Sequence, residues 1–303
     1  ANAGFSVIGI DTDLGRIQRV RDALNKRDEG SSLSSGDTGQ TQRFLEDDEI
    51  VILRGLAEMD FSVTTDFDVL KKSDVAIICV PTPLSKTKDP DLSHVVKVAD
   101  EIADRFHPGM LVVLESTTYP GSTEEVILPK LRDAKGQKRE VGRDFFLAFS
   151  PERIDPGRTD WTIANTPKIV GGVTSRCLEA VESLYASVTD QVVPVSSPRV
   201  AEMAKLLENT FRATNIGLVN EISLMCDRLG IDVWEVIDAA KTKPFGFMPF
   251  YPGPGLGGHC IPIDPQFLAW KLKTLNYDAR FIQLATEINM EMPNHVLRKV
   301  DET

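Results

Sequence analysis

Val75-Ala76-Ile77-Ile78-Cys79-Val80 is an unbroken apolar run, and Pro81-Thr82-Pro83 ends it. A short apolar run stopped by prolines reads as a strand buried on both faces of a sheet. Leu111-Val112-Val113-Leu114-Glu115 repeats the pattern and ends at Ser116-Thr117-Thr118. Working outward, Phe5–Ile10 is a further run, ending at Asp11-Thr12-Asp13, with a helix expected from Leu14 to Asn25. Strands are expected at Phe61–Thr65, Phe145–Phe149, Lys168–Gly172 and Val192–Val195. Helical periodicity runs from Ser93 to Arg105. Another helix opens near Ser122, with Glu124 and Glu125 in its first turn, where acidic groups suit the helix dipole. Residues 28–40, rich in Ser, Gly and Asp, read as a loop. Strands alternating with helices predict an α/β fold with a doubly wound parallel sheet. Asp11, Thr82, Thr117, Thr118 and Glu152 all follow strand ends, where such sheets bind ligands.

After residue 196 the pattern becomes helical. One long helix spans 198–230, a short one 232–241, and a Pro/Gly-rich loop covers 244–265. Further helices are expected from Pro265 to Leu275 and from Phe281 to Met290. The boundary between an α/β domain and an all-helical one is therefore placed at 1–196 and 197–303. The opening Ala1-Asn2-Ala3-Gly4 resembles a helix end with a glycine C-cap, so the chain is expected to start inside a fold.

The composition narrows the function classes. The chain has 303 residues, 42% hydrophobic and 26% charged, with a formal net charge of −11. That charge argues against a nucleic-acid partner, which calls for a basic face. No apolar stretch of about 18 residues is present, so no membrane span is expected. No signal peptide is visible, and Cys79, Cys177, Cys226 and Cys260 form no metal-binding pattern. A reducing, cytoplasmic setting without a metal is expected.

Three groups of residues stand out chemically. Asp11 at a strand end either caps the following helix or binds the ribose hydroxyls of a dinucleotide. The glycine-rich loop that accompanies such an acid would lie about 20 residues earlier, ahead of residue 1, so the unit is expected to lack its first strand and that loop. Cys260 lies in Gly255-Leu256-Gly257-Gly258-His259-Cys260, followed by Asp264. It is either a buried structural cysteine or an accessible nucleophile near backbone N–H donors. His259, adjacent in an extended chain, is not expected to pair with it. Lys205 and Asn209, four apart on the long helix, share a face and suit an oxyanion; the alternative is a solvated face, the reading given to Glu202 and Glu208.

With these residues on the page, the sequence resembles the UDP-glucose/GDP-mannose dehydrogenase family. The resemblance rests on Gly9-Ile10-Asp11-Thr12-Asp13, Cys79-Val80-Pro81-Thr82-Pro83, Glu115-Ser116-Thr117-Thr118-Tyr119-Pro120-Gly121, Ser150-Pro151-Glu152-Arg153, Lys205-Leu206-Leu207-Glu208-Asn209 and the Cys260 loop, in family order. It implies a Rossmann-like NAD-binding domain over 1–196, incomplete at its start. It also implies a central helical dimerisation domain over 197–303, with the family's C-terminal UDP-binding domain absent. Tyr119-Pro120-Gly121, Glu152-Arg153-Ile154-Asp155-Pro156-Gly157 and the stretch from Gly257 to Pro265 are most similar to the branch that oxidises UDP-N-acetylhexosamines. Within that branch they favour UDP-N-acetylglucosamine. The alternatives are UDP-N-acetylmannosamine, UDP-glucose or GDP-mannose as substrate, or an inactive dimerising fragment.

The resemblance also implies a mechanism: NAD-dependent four-electron oxidation of the sugar C6 alcohol to the uronic acid. Cys260 is then the nucleophile of a thiohemiacetal and a thioester. Lys205 and Asn209 stabilise the oxyanion, Glu152 is the base toward water, and Thr118 and Asp264 position that water. Asp11 takes the ribose hydroxyls and Arg16 lies near the adenosine, while Val80, Thr82, Thr117 and Thr118 line the cofactor's path. For the substrate it points to Glu152, Lys205 and Asn209, to the loop of Tyr251, Gly253, Gly255 and Gly257, and to Lys243 and Arg280.

Overall fold

The computed structural model describes residues 1, 3–25, 60–154, 160–258 and 260–301. The expected loop at 28–40 lies outside them, as does His259. Strand β1 (Val7–Ile10) leads into helix α1 (Leu14–Asn25) and pairs in parallel with β2 (Phe61–Thr64). A 3-10 helix, Phe67–Lys72, connects to β3 (Val75–Ile78). Then come α2 (Ser93–Arg105), β4 (Leu111–Leu114), a π-turn over Thr123–Ile127 and α3 (Leu128–Arg132). Strands β5 (Phe146–Phe149) and β6 (Lys168–Gly172) follow, then α4 (Ser175–Ala186) and β7 (Val192–Val195).

The second sheet runs β3-β4-β5-β6-β7. The parallel pairing expected from the alternation holds for β3–β4, β4–β5 and β6–β7. The β5–β6 pair differs: it is antiparallel, Ala148 facing Gly172 and Phe149 facing Gly171. The reason is the connection. A parallel return needs a crossover, usually a helix, and the described residues between β5 and β6 contain none.

Strand β4 shows why its sequence is apolar throughout. Successive side chains of a strand point to opposite faces. Val112 and Leu114 join a core with Val95, Ala99 and Ile102 of α2 and with Ile127 and Leu131. Leu111 and Val113 join the other core, with Val181 and Tyr185 of α4. Both faces are covered, so the expected doubly wound α/β architecture is present. Ile10, at the end of β1, also packs against the first core.

After β7 the described residues form helices only: α5 (Pro198–Leu229), α6 (Val233–Ala240), α7 (Cys260–Lys273) and α8 (Arg280–Asp301). Ser197 caps α5 by accepting the Val200 N–H at 3.4 Å, and Pro198 occupies its first turn. Gly230 ends it with φ +67°, a left-handed geometry glycine adopts without strain. Helix α5 meets α8 closely enough that a Cβ on Gly217 would lie 3.1 Å from the Ala285 Cα. A polar pin reinforces that contact. Asn220 Nδ2 donates to Asn289 Oδ1 at 2.8 Å, and Asn220 Oδ1 accepts the Gly253 N–H at 2.9 Å.

Two boundaries depart from expectation. Helix α7 begins at Cys260 rather than near Pro265: Pro262 stands in its first turn, where no intrahelical N–H bond is lost, and Pro265 lies inside the helix. Cys260 is thus helical, and the extended geometry assumed for it does not apply. Helix α8 runs on to Asp301, well past Met290.

Candidate active site

The candidate cofactor residues follow strand ends of the α/β part. At the end of β1, Arg16 Nη1 donates to Asp11 Oδ2 at 2.7 Å, and the other Asp11 oxygen accepts the Asp13 N–H at 2.9 Å. The helix cap is a different residue: Asp13 accepts the Arg16 N–H at 3.1 Å. Burial raises the Asp11 carboxyl, but the hydrogen bonds from Asp13 and Arg16 outweigh it and hold the group below its ordinary value. Beyond β3 and β4 the chain is laced together. Ser116 Oγ donates to the Val80 carbonyl at 2.7 Å, and Thr82 Oγ1 donates to the Thr117 carbonyl at 2.7 Å. Val80, Thr82 and Thr117 therefore sit on one shared rim.

The helical part supplies a second set. Lys205 and Asn209 lie a turn apart on α5, and Cys260 and Asp264 a turn apart on α7. The two pairs meet: Asn209 Nδ2 donates to Asp264 Oδ2 at 2.5 Å. Asp264 is buried and Cys260 is exposed. Lys205 is half-buried, and among the described residues its side chain makes no hydrogen bond or ion pair. A half-buried ammonium with no anionic partner is suited to an anion that arrives from outside.

Glu152 lies beyond β5 with its side chain 51% exposed. Its Oε1 accepts the N–H groups of Arg153 and Ile154 at 2.8 and 2.7 Å, which fixes the carboxylate. Arg153 then ties this loop to α5, donating to Glu208 Oε1 at 2.6 Å and to the Pro167 carbonyl at 2.7 Å. Glu208 adjoins Asn209, so the Glu152 loop is anchored beside the Lys205–Asn209 face. Sequence reasoning quoted Arg153 in a motif without giving it this part. The signal available was a basic residue next to an acid in a loop, opposite a helix with a spare carboxylate.

Glu202 corrects one expectation. It is fully buried rather than part of a solvated helix face. It accepts from Gly121 N (2.5 Å), Ser122 Oγ (2.9 Å), Thr123 N (2.9 Å) and Thr123 Oγ1 (2.7 Å). These are the donors of the turn that opens the Thr123–Ile127 segment, and they weld it to α5. Burial pushes the Glu202 carboxyl above its ordinary value, against the opposing pull of those hydrogen bonds. Thr118 belongs to the same network: it is fully buried, and its hydroxyl shares a hydrogen bond with Ser122 Oγ at 2.5 Å.

The residues singled out for substrate lie farther along. Tyr251 stacks on Trp234 with ring centroids 6.1 Å apart. Gly255 has φ +116° and comes so close to α8 that a Cβ there would sit 2.8 Å from the Asn289 carbonyl oxygen. Gly257 has open space around it. Pro252, Gly253 and Pro254 line a cavity of about 330 Å³ with Ser223, Trp234 and His295, near the far end of α5 from Lys205. Lys243 sits 5.1 Å over the Phe245 ring, and Arg280 is exposed at the start of α8. Neither side chain makes a hydrogen bond or ion pair among the described residues.

The geometry is thus an α/β sheet with an acid just past β1, and a helical part in which the Asn209–Asp264 contact lies one turn from Cys260. Residues 38–189 match the UDP-glucose/GDP-mannose dehydrogenase family, NAD binding domain, and residues 199–291 match that family's central domain. The chain belongs to this family. It is 36% identical over 97% of its length to a UDP-N-acetyl-D-glucosamine 6-dehydrogenase of Pseudomonas aeruginosa, of which it spans 64%. It is 33% identical over 99% of its length to an NDP-N-acetyl-D-galactosaminuronic acid dehydrogenase of Ralstonia nicotianae, spanning 70% of that protein. A solved UDP-D-ManNAc dehydrogenase from Pyrococcus horikoshii superposes with a TM-score of 0.82 at 33% identity, covering 99% of this chain and 66% of that one. No helix of the described residues is long and apolar enough to cross a membrane.

Proposed function

We propose that the chain carries the NAD-binding and catalytic parts of a nucleotide-sugar 6-dehydrogenase that oxidises UDP-N-acetylglucosamine to the uronic acid, with its division at 196/197. The observation that carries the reading is the Asn209–Asp264 contact, which joins the Lys205–Asn209 and Cys260–Asp264 turns. The family's NAD domain and the Asp11 carboxylate support the cofactor, because an acid at this strand end suits ribose hydroxyls and opposes a 2′-phosphate. Asp11 and Arg16 would hold its adenosine end, and the rim of Val80, Thr82 and Thr117 its path. When bound, NAD supplies the hydride acceptor for both oxidations.

The chain's own groups do the rest. The Cys260 sulfur adds to the C6 aldehyde carbon, forming a C–S bond and an alkoxide that Lys205 and Asn209 stabilise. Loss of one such donor typically costs about 10²–10³ in rate. The thioester reached after the second oxidation keeps the sugar covalently held, which prevents escape of the aldehyde. Glu152 takes a proton from water, whose oxygen attacks the thioester carbonyl and expels the Cys260 thiolate. Asp264 holds the Asn209 amide, and Thr118 helps shape the wall behind the water.

A homodimer through the helical part is supported by the α5 surface. Leu207, Phe211, Leu218 and Met225 are exposed, and at about 100° per residue they fall on one stripe. The reading is tested by mixing Glu152→Gln protein with NAD and UDP-N-acetylglucosamine and mapping the digested peptides by mass. An acyl adduct on the Cys260 peptide is expected. An unmodified Cys260 peptide during ongoing NADH formation contradicts it.

A further inference from the structure

The antiparallel turn-back of β6 has a chemical consequence. It puts the first residue of that strand, Lys168, at the edge where β4 and β5 end, rather than at the opposite edge of the sheet. There its ammonium meets two carboxylates. Glu115, just past β4, is 2.8 Å away through Oε1, and Glu152, just past β5, is 3.6 Å away through Oε2. Lys168 and Glu115 are only 13% and 15% exposed. Glu115 is held in turn by the Tyr185 hydroxyl, which donates to the same Oε1, and its Oε2 faces the Cys79 thiol at 3.9 Å. The Lys168 ammonium also lies 5.0 Å over the Tyr185 ring.

We infer that Lys168 is a positioning residue for the Glu152 carboxylate, and that Glu115 with Tyr185 sets how much of the Lys168 charge reaches it. The inference rests on the reading of Glu152 as the base toward the thioester. One ammonium is divided between a near, buried carboxylate and a farther, half-exposed one. A purely structural ion pair needs only the first. Tyr185 and Cys79 supply donors without charge: burial, with the Glu115 carboxylate next, pushes the Cys79 thiol up to about 12 and raises the Tyr185 hydroxyl. Among the described residues, Arg153 and Glu208 are paired with each other, and Lys205, on the α5 face beside this loop, is the same in every variant compared. Lys168 and Glu115 are therefore groups whose removal changes the field at Glu152, and they act in opposite directions. Without Lys168, Glu152 is harder to ionise. Without the Glu115 charge, the ammonium turns wholly to Glu152, which becomes easier to ionise.

The test is a carboxyl titration by NMR on protein labelled with ¹³C-glutamate, the Glu152 resonance being assigned by its loss in Glu152→Gln. Lys168→Met is expected to raise the Glu152 midpoint, the direction set by loss of a nearby opposite charge. Glu115→Gln is expected to lower it, Tyr185→Phe to raise it slightly, and Lys168→Arg to restore it. An unchanged midpoint in Lys168→Met and Glu115→Gln overturns the inference. If Lys168→Met does not fold, the isosteric Glu115→Gln and Tyr185→Phe variants still decide it by the opposite signs of their shifts. The pH–rate profile separates this from the underlying reading. Loss of the acid limb in Glu152→Gln supports Glu152 as the base, and persistence of that limb overturns that role whatever the titration gives.

Discussion

Helix α5 meets the α/β part at two seams, and they are built on opposite principles. At the first, Glu202 is buried and its carboxylate accepts four hydrogen bonds from residues 121–123. At the second, Arg153 and Glu208 anchor a loop whose Glu152 stays half-exposed; on the same helix the Lys205 side chain has no ion pair among the described residues, and Cys260 of α7 is exposed. The first seam has used its hydrogen-bonding capacity on the fold. The second keeps capacity in reserve for something the chain does not itself contain. Buried, satisfied carboxylates lend rigidity; exposed or unpartnered groups at a rigid junction are where chemistry is done.

Substitutions should divide along that line. At the open seam the largest effect is expected from Cys260→Ala: no uronic acid formed, with the thermal midpoint unchanged in a melting scan. Glu152→Gln comes next, with turnover lowered about 10²–10⁴-fold, as for loss of a general base. The first NADH burst should survive in single-turnover kinetics. Asn209→Ala should lower kcat about 10²-fold. A large loss of thermal stability in any of these three would erase the contrast between the seams.

At the sealed seam the expected effect is on stability. Glu202→Ala leaves four buried donors without an acceptor and should cost about 3–5 kcal/mol, measured by urea unfolding. The sign of its pH dependence also follows. The folded carboxyl is raised above its ordinary value, so its contribution is full in acid below the unfolded value and is lost as pH rises through the folded one. Glu202→Gln should remove that decline. The smallest effect belongs to the cofactor edge: Asp11→Asn should weaken NAD binding about 10-fold. Because Asp11 is held below its ordinary value, the native affinity should stay level well into mild acid. Arg16→Ala should move the acid loss to higher pH in a calorimetric titration.

Local periodicity made most of the fold legible. The runs at Val75–Val80 and Leu111–Glu115 marked strands covered on both faces, and the stretch with few breakers up to Gly230 marked α5. The antiparallel β6 was not legible, because direction is set by the connection and not by the strand's own residues. Glu202 escaped for a related reason. It shares α5 with Lys205 and Glu208, and only tertiary packing decides which turn of that helix is sealed. The i, i+4 spacing did bring out Lys205–Asn209, since spacing along one helix is local, whereas Cys260 and Asp264 were read in a loop and share a helix turn only in the structure. That the two pairs touch is a long-range fact. The links Arg153–Glu208 and Lys168–Glu115 span 55 and 53 residues, a separation at which no sequence pattern operates.

The central claim is that Cys260 carries the sugar between two oxidations at the open seam. The most direct measurement is the NADH released per UDP-N-acetylglucosamine consumed, with NAD in excess. The account predicts two NADH per sugar with no free aldehyde captured by a hydrazine trap, and none of the uronic acid from Cys260→Ala. One NADH per sugar, or a trapped aldehyde formed equally by native protein and Cys260→Ala, would contradict it.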